Sequence, residues 1–338
     1  MAQLVCSRTA FALRHAERVQ RAFPMKRVAI TGGTGFVGAN LTRRVLRDGH
    51  EVHLLVRPGH AEWRIAEIRS ATRLHVIDFS NAEEVFKTLK EVRPDWIFHL
   101  AAYGAYSSQT DLSRMAQTNI IGTMNLVNAC MATGFESFVN AGTSSEYGYK
   151  DHAPAETECL EPNSHYAVTK ASATLFCSYT ARCKNVPIPT LRLYSVYGPY
   201  EQPTRLIPTL VRFGLEGKLP PLVNPNTARD YVHTEDVVEA FLLAAQDPGS
   251  DCGAIYNVGT GIQTSMEEVV SIARRIMNIQ AEPEWGTMPD RIWDTNSWVC
   301  DNSKIERVLG WKPRLSFEEG LLQTVEWMRS NRSITPVS

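Results

Sequence analysis

Val28-Ala29-Ile30-Thr31-Gly32-Gly33-Thr34-Gly35-Phe36-Val37-Gly38 joins a short apolar run to glycines at three-residue spacing. Glycines so spaced also mark ordinary turns. Here they directly follow a strand-like stretch and open a helical pattern. In that context glycines let the backbone approach a pyrophosphate, and the helix N-terminus offers N–H groups with a partial positive charge. The stretch predicts a dinucleotide-binding turn, with Gly32, Gly35, Phe36, Val37 and Gly38 at the cofactor.

Outward from this turn the pattern alternates. Strand-like runs at residues 28–30, 52–56, 74–77, 96–100, 137–140 and 190–193 are separated by stretches of helical period such as 40–47 and 119–132. Strands alternating with helices imply βαβ units, hence an α/β fold with a doubly wound parallel sheet covered on both faces. After about residue 198, prolines and glycines become denser and the alternation breaks. We expect a dinucleotide-binding domain over 25–197 and a smaller, interleaved substrate lobe over 198–330, with 229–260 returning to the first domain. Residues 1–24 hold four arginines and a single acid, Glu17. They read either as a faint organelle transit peptide or as an extension upstream of a start at Met25, and both readings leave them outside the fold.

Thirty-five Lys+Arg against 36 Asp+Glu leave a net charge of −1, so no overall basic field exists for nucleic acid or an anionic membrane. No apolar run approaches the roughly 20 residues that span a bilayer. The seven cysteines include no C-x-x-C pair, and an odd, scattered set is no disulfide framework. A reducing compartment, the cytoplasm, is expected, and no metal site.

The second strand, Val52-His53-Leu54-Leu55-Val56, ends in Arg57-Pro58-Gly59 with no acid. NAD readers usually carry an Asp or Glu about 20 residues after the glycines to hold the ribose 2′-hydroxyl, whereas Arg accommodates a 2′-phosphate. NADP(H) is therefore favoured and NAD(H) remains open; the plainer alternative is that Arg57 is a solvated loop residue.

Tyr166-Ala167-Val168-Thr169-Lys170 places Tyr and Lys at i and i+4, close together on one helix face. A phenol with a pKa near 10 is a poor base at neutral pH. An ammonium beside it can stabilise the phenolate, and lowering the pKa by about three units takes roughly 4 kcal/mol. The pair lies a little over 130 residues beyond the glycines, after a strand ending in the hydroxyls of Thr143, Ser144 and Ser145. Those hydroxyls can bond a substrate oxygen, or merely close a turn.

From Met25 to about Arg329 the chain resembles an extended short-chain dehydrogenase/reductase of the nucleotide-sugar epimerase/dehydratase type. The motifs, in order, are the glycine loop, Asp78-Phe79, His99-Leu100-Ala101-Ala102, Asn119-x-x-Gly122-Thr123 and Tyr166/Lys170. After them come Val196-Tyr197-Gly198-Pro199, Arg229-Asp230-Tyr231-Val232-His233 and Leu309-Gly310-Trp311-x-Pro313. The resemblance implies a Rossmann-type domain, a catalytic set of Thr143, Tyr166 and Lys170, and a diphosphate held by Arg229 and Arg291. It adds Asp78, Phe79, Leu100, Ala101, Ala102, Asn119, Tyr194 and Val196 to the cofactor site, which Tyr166 and Lys170 also line. Tyr103, Ser195 and Arg205 join Thr143 at the substrate. A homodimer acting on a nucleotide-diphosphate sugar is expected.

Two departures bear on the reaction. Dehydratases and decarboxylases of the family usually carry a carboxylate two residues after the catalytic Thr or Ser; here that position is Ser145, and the acid is displaced to Glu146. In an extended segment a shift of one turns the side chain to the opposite face, so the acid/base for eliminating water is missing unless the loop readjusts. Ser195 replaces the Asn common before Val-Tyr-Gly-Pro, which questions the expected contact to the sugar-side phosphate. The leading expectation is an NADPH-dependent reductase of a nucleotide-4-keto-(6-deoxy)sugar, with a 4-epimerase next. Behind them stand a 4,6-dehydratase and a silent dinucleotide-binding protein.

Overall fold

A computed structural model describes residues 24–106, 108–247, 249–288 and 297–331. The predicted parallel sheet is present. Its strands are β1 (Arg27–Thr31), β2 (Glu51–Val56), β3 (Arg73–Val76), β4 (Trp96–His99), β5 (Ser137–Thr143), β6 (Thr190–Leu193) and, from much later in the chain, β10 (Ile255–Val258). They lie in the order β10-β6-β5-β4-β1-β2-β3, every neighbour parallel. The strand order reverses between β1 and β4, and at such a switch point open α/β sheets bind their ligands. The third strand runs one residue earlier than its apolar pattern suggested, and the fourth stops at His99.

Side-chain alternation explains the layers. Val28, Ile30, Leu54, Phe98, Val139 and Leu191 pack to one face, against Leu41 and Val45 of α1 (Phe36–Arg47) and Val237 and Phe241 of α7 (Thr234–Gln246). Ala29, Leu55, Ile97 and Phe138 point to the other. There they meet α2 (Ala82–Val92), α4 (Gly122–Thr133) and α5 (His165–Lys184) through residues such as Val85, Leu126 and Cys177. A sheet buried on both faces needs consecutive apolar residues along its strands, and β1 supplies them at Val28, Ala29 and Ile30.

The expected helix at 119–132 is longer and interrupted. Leu112–Ala116 forms α3, residues Gln117–Ile121 make a π turn, and α4 continues from Gly122. Single π turns inside α-helices are frequent at functional sites, and Asn119 sits within this one.

A second apolar cluster joins Ile207, Leu210 and Val211 of α6 (Leu206–Gly214) to Val269 and Ala273 of α8 (Met266–Met277) and Leu321 and Val325 of α10 (Phe317–Ser330). Two short ladders, β7 (Ser195–Tyr197) with β9 (Tyr231–His233) and β8 (Ala228–Arg229) with β11 (Thr264–Ser265), lie beside it. The Leu309-Gly310-Trp311 motif ends α9 (Ser303–Leu309). Trp311 is buried and donates Nε1–H to the Asp236 carbonyl at 2.8 Å, while the Asp236 carboxylate accepts from the Arg314 and Leu315 amides.

Candidate active site

The glycine turn is tight because it must be. Gly32 has φ +69°, and a Cβ there would lie 2.6 Å from the Leu100 carbonyl carbon; one on Gly38 would lie 2.1 Å from the Gly32 oxygen. Gly35 N–H donates to that oxygen at 2.8 Å. Helix α1 starts at Phe36 with no side chain capping it and no acid in its first turn. Its positive end is left for an anion. A dinucleotide pyrophosphate fits this cradle.

His99 ties the ends of β1 and β4 together. Thr123 donates its hydroxyl to the Asn119 carbonyl at 2.7 Å, so it must accept from His99 Nε2–H at 2.9 Å. His99 Nδ1 then accepts from the Thr31 hydroxyl at 2.7 Å, and Thr31 Oγ1 takes the Ala101 amide at 3.1 Å. Full burial, with the Lys170 charge adding to it, pushes His99 down to about 3, so the ring is neutral. The His-Leu-Ala-Ala stretch is thus fixed beside Gly32.

Phe79 is buried, and Asp78 closes a turn by accepting the Ser80 amide and hydroxyl. Arg57 is exposed two residues past Leu55, the register partner of Thr31, and among the described residues its Nη1 reaches the carbonyls of Pro58 and Gly59.

Thr143 ends β5 opposite Leu193. The chain then leaves the extended form at once: Ser144–Tyr147 is a 3-10 turn. Thr143 Oγ1 accepts the Ser145 amide at 3.2 Å, and Glu146 Oε1 accepts the Thr143 amide at 3.0 Å. The face-flipping expected of an extended segment therefore does not apply. Glu146 turns into the interior, where Arg192 Nε meets Oε2 at 2.9 Å and Thr174 donates to Oε1 at 3.0 Å. Its hydrogen-bond partners among the described residues are Arg192, Thr174 and the Thr143 amide.

Ser164 caps α5 by accepting the Ala167 amide, which places Tyr166 in the first turn and Lys170 one turn on. Tyr166 is partly accessible on the first turn of α5. Burial, with the Glu146 charge next, raises its pKa; Arg205 and Thr143 oppose the rise. The resting phenol is neutral. Lys170 is 3% exposed, and burial lowers its pKa while Glu146 works against the fall. Asn119, on the π turn, brackets the Tyr103 backbone through both N–H and C=O at 2.8 Å and donates to the Thr169 hydroxyl at 2.9 Å. One amide thus links the loop after β4 to the Tyr-Lys helix. The Tyr103 ring lies under the Arg114 guanidinium at 4.8 Å.

Where β7 meets β9, Ser195 donates its amide to the Asp230 carbonyl, Val196 its amide to the Tyr194 carbonyl, and Tyr194 is buried. The Asp230 carboxylate gathers four donors: the Thr260 amide and hydroxyl and the amides of Gly261 and Cys300. Arg229 beside it donates to the Ala228 carbonyl at 2.8 Å. Arg205 stands just before α6, half exposed, its Nε 3.9 Å from Glu201 Oε1. Burial pushes that carboxyl up to about 8. Arg291 lies outside the described residues.

Sequence reasoning missed three side chains here: Arg192, Glu201 and Trp298. Trp298 Nε1 donates to Ser144 Oγ at 3.2 Å, and the Arg229 guanidinium stands 5.3 Å over its ring. No motif carried them; the one available signal was a lone arginine in the apolar strand Thr190-Leu191-Arg192-Leu193.

The model of the NAD dependent epimerase/dehydratase family matches residues 28–259. The chain belongs to that family. Among curated members of this epimerase/dehydratase family, the UDP-glucose 4-epimerase of Mycolicibacterium smegmatis is 30% identical over 317 residues, 90% of this chain and 99% of that one. A UDP-glucose 4-epimerase from Thermotoga maritima, solved with UDP-glucose, superposes with a TM-score of 0.82 at 28% identity, over 90% of this chain and 99% of that chain. A dTDP-glucose 4,6-dehydratase from Streptomyces venezuelae, solved with NAD, gives 0.80 at 30% identity, over 90% and 98%. The family thus holds both epimerases and dehydratases.

Proposed function

We propose that this enzyme reduces the C4 carbonyl of a nucleotide-4-keto-(6-deoxy)sugar with NADPH. The observation that carries the reading is the fate of Glu146. The acid of the 143–147 turn is committed to Arg192, Thr174 and the Thr143 amide, leaving hydroxyls at the position where dehydratases place a carboxylate. Dehydration needs a base for the C5 proton and an acid for the C6 hydroxyl, and hydroxyls of ordinary pKa do neither well near neutrality. Reduction needs the hydride of NADPH and, from the protein, only a proton donor.

A nicotinamide dinucleotide, present as NAD in solved structures of the family, would supply the hydride. Gly32, Gly35 and Gly38 with the α1 N-terminus would hold its pyrophosphate, and Arg57 would meet a 2′-phosphate. Tyr166 gives its phenolic proton to the C4 oxygen. Lys170, one helical turn on, stabilises the phenolate that remains, and Thr143 bonds the same oxygen. Arg229 and Arg291 take the diphosphate, with Arg205 at the substrate.

A second reading, a 4-epimerase using the same residues, is favoured by the 30% identity to a UDP-glucose 4-epimerase across nearly its whole length. A paired assay separates them. The protein is given NADPH with a panel of nucleotide-4-keto-6-deoxysugars, and loss of NADPH absorbance is followed. In parallel it receives UDP-glucose, dTDP-glucose, CDP-glucose and GDP-mannose with no added cofactor. Absorbance loss in the first arm is expected; C4-inverted products in the second with nothing in the first overturn the reductase in favour of the epimerase.

We place the chain in the cytoplasm, in keeping with its free cysteines, and as a homodimer. Supporting the dimer, Val168, Leu175 and Tyr179 leave an exposed apolar stripe along α5, with Ile121 of the π turn also exposed. A second copy of the same stripe is a self-complementary cover for it.

A further inference from the structure

The segment that leads into Arg205 is held from the cofactor side of the molecule. Tyr200 has a left-handed backbone, φ +68°, which a residue with a bulky side chain keeps only where its surroundings impose it. The Arg43 guanidinium of α1 stands 3.8 Å over the Tyr200 ring, and the Trp327 ring of α10 lies 4.5 Å away. Tyr200 donates its hydroxyl to Glu67 at 3.1 Å, and Asn40 of α1 donates to the Pro199 carbonyl at 2.9 Å.

Arg64 is the central tie. It is buried on the connection between β2 and β3, seven residues after Arg57. Its guanidinium lies over Trp63 at 4.1 Å, with Nε donating to the Tyr200 carbonyl at 2.8 Å and Nη2 to Gln202 Oε1 at 2.9 Å. The Arg64 carbonyl accepts from Arg43 Nη2 at 2.7 Å. Gln202 passes the constraint on, because its carbonyl accepts the Arg205 amide at 2.9 Å just before α6. A planar guanidinium bonded to acceptors two residues apart fixes the chain between them more closely than a point charge does.

We propose that Arg64 is a positioning residue that acts on the substrate through Arg205, by fixing the Tyr200–Gln202 backbone from which Arg205 enters the substrate site. This rests on the nucleotide-sugar reading. The loop that follows the cofactor-reading strand thereby sets the geometry of the substrate arm.

The test is a double-mutant cycle. Wild type, Arg64→Met, Arg205→Ala and the double variant are titrated calorimetrically with NADPH and with UDP-glucose, dTDP-glucose, CDP-glucose and GDP-mannose; thermal melting shows that each is folded. The best nucleotide-sugar should bind about tenfold more weakly to Arg64→Met, with NADPH within twofold of wild type. Arg64→Lys, which keeps one donor, should recover part of the loss. In the Arg205→Ala background Arg64→Met should add less than twofold, since nothing is left to position. Losses that multiply overturn the proposal, and so does an equal weakening of NADPH. Unchanged binding in Arg64→Met or in Arg205→Ala also overturns it, while leaving the nucleotide-sugar reading intact. If Arg64→Met does not fold, Gln202→Ala takes its place in the cycle, with a smaller loss and the same dependence on Arg205. A wild type that binds NADPH and none of the nucleotide-sugars sinks both readings.

Discussion

Glu146 and Arg192 meet inside the protein as an ion pair of 2.9 Å, with side chains 0% and 2% exposed. Removing one partner of such a pair leaves an uncompensated buried charge, at a cost of about 3–5 kcal/mol. Glu146→Gln should therefore lower the unfolding free energy from urea titration by that order and lose activity through unfolding. The observation against this is a variant as stable as wild type that has lost a robust conversion of dTDP-glucose or GDP-mannose to a 4-keto-6-deoxy product.

Tyr166→Phe should keep the fold and dinucleotide affinity yet lower turnover by about 10²–10⁴-fold, the usual contribution of a general acid. Steady-state rates beside a melting curve check it. Turnover within a few-fold of wild type means that the phenol only packs on its helix.

Arg57→Asp should exchange a preference for NADPH for one for NADH, because the carboxylate repels a 2′-phosphate and accepts from a 2′-hydroxyl. Titration of both dinucleotides into both proteins measures it. A wild type that prefers NADH removes the Arg57 assignment and weakens the reductase reading with it.

His99 gives a pH signature. Its pKa falls from 6.5 unfolded to about 3 folded, chiefly through burial. Between these values the unfolded chain binds the extra proton, so its contribution to stability is complete above about 6.5 and declines as pH falls toward 3. The slope approaches about 1.4 kcal/mol per pH unit within that window. Urea unfolding at pH 7 and pH 5 should show a larger loss in wild type than in His99→Gln. Equal losses mean that the folded ring takes up the proton as readily as the unfolded one.

Leu175→Asp on the exposed face of α5 should shift the protein to monomer in light scattering without changing its melting curve at low concentration. A wild type already monomeric at micromolar concentration removes the dimer.

The parts of the fold legible in the sequence obey local rules. Glycine spacing after β1, strand–helix alternation and the Tyr–Lys spacing depend on neighbours a few residues away. The 143–147 turn was legible too, since Thr143-x-x-Glu146 has the form of a capping box, but reading it as strand hid that. What could not be read joins distant segments. The Arg192–Glu146 pair spans 46 residues and Trp298–Ser144 spans 154, and their partners come together only when β5, β6 and the segment after α8 are assembled. The π turn was equally hidden, because a one-residue change of helical pitch leaves the apolar spacing of 119–132 nearly intact.

Strand β10 carries a consequence for biosynthesis. Ile255–Val258 pairs with Thr190–Leu193, so during translation the apolar edge of β6 waits unpaired until some sixty further residues have emerged. An open strand edge of that kind templates association between chains. A nascent protein arrested or cleaved before residue 255 exposes it permanently. Fragments ending there should aggregate rather than persist as a nucleotide-binding half.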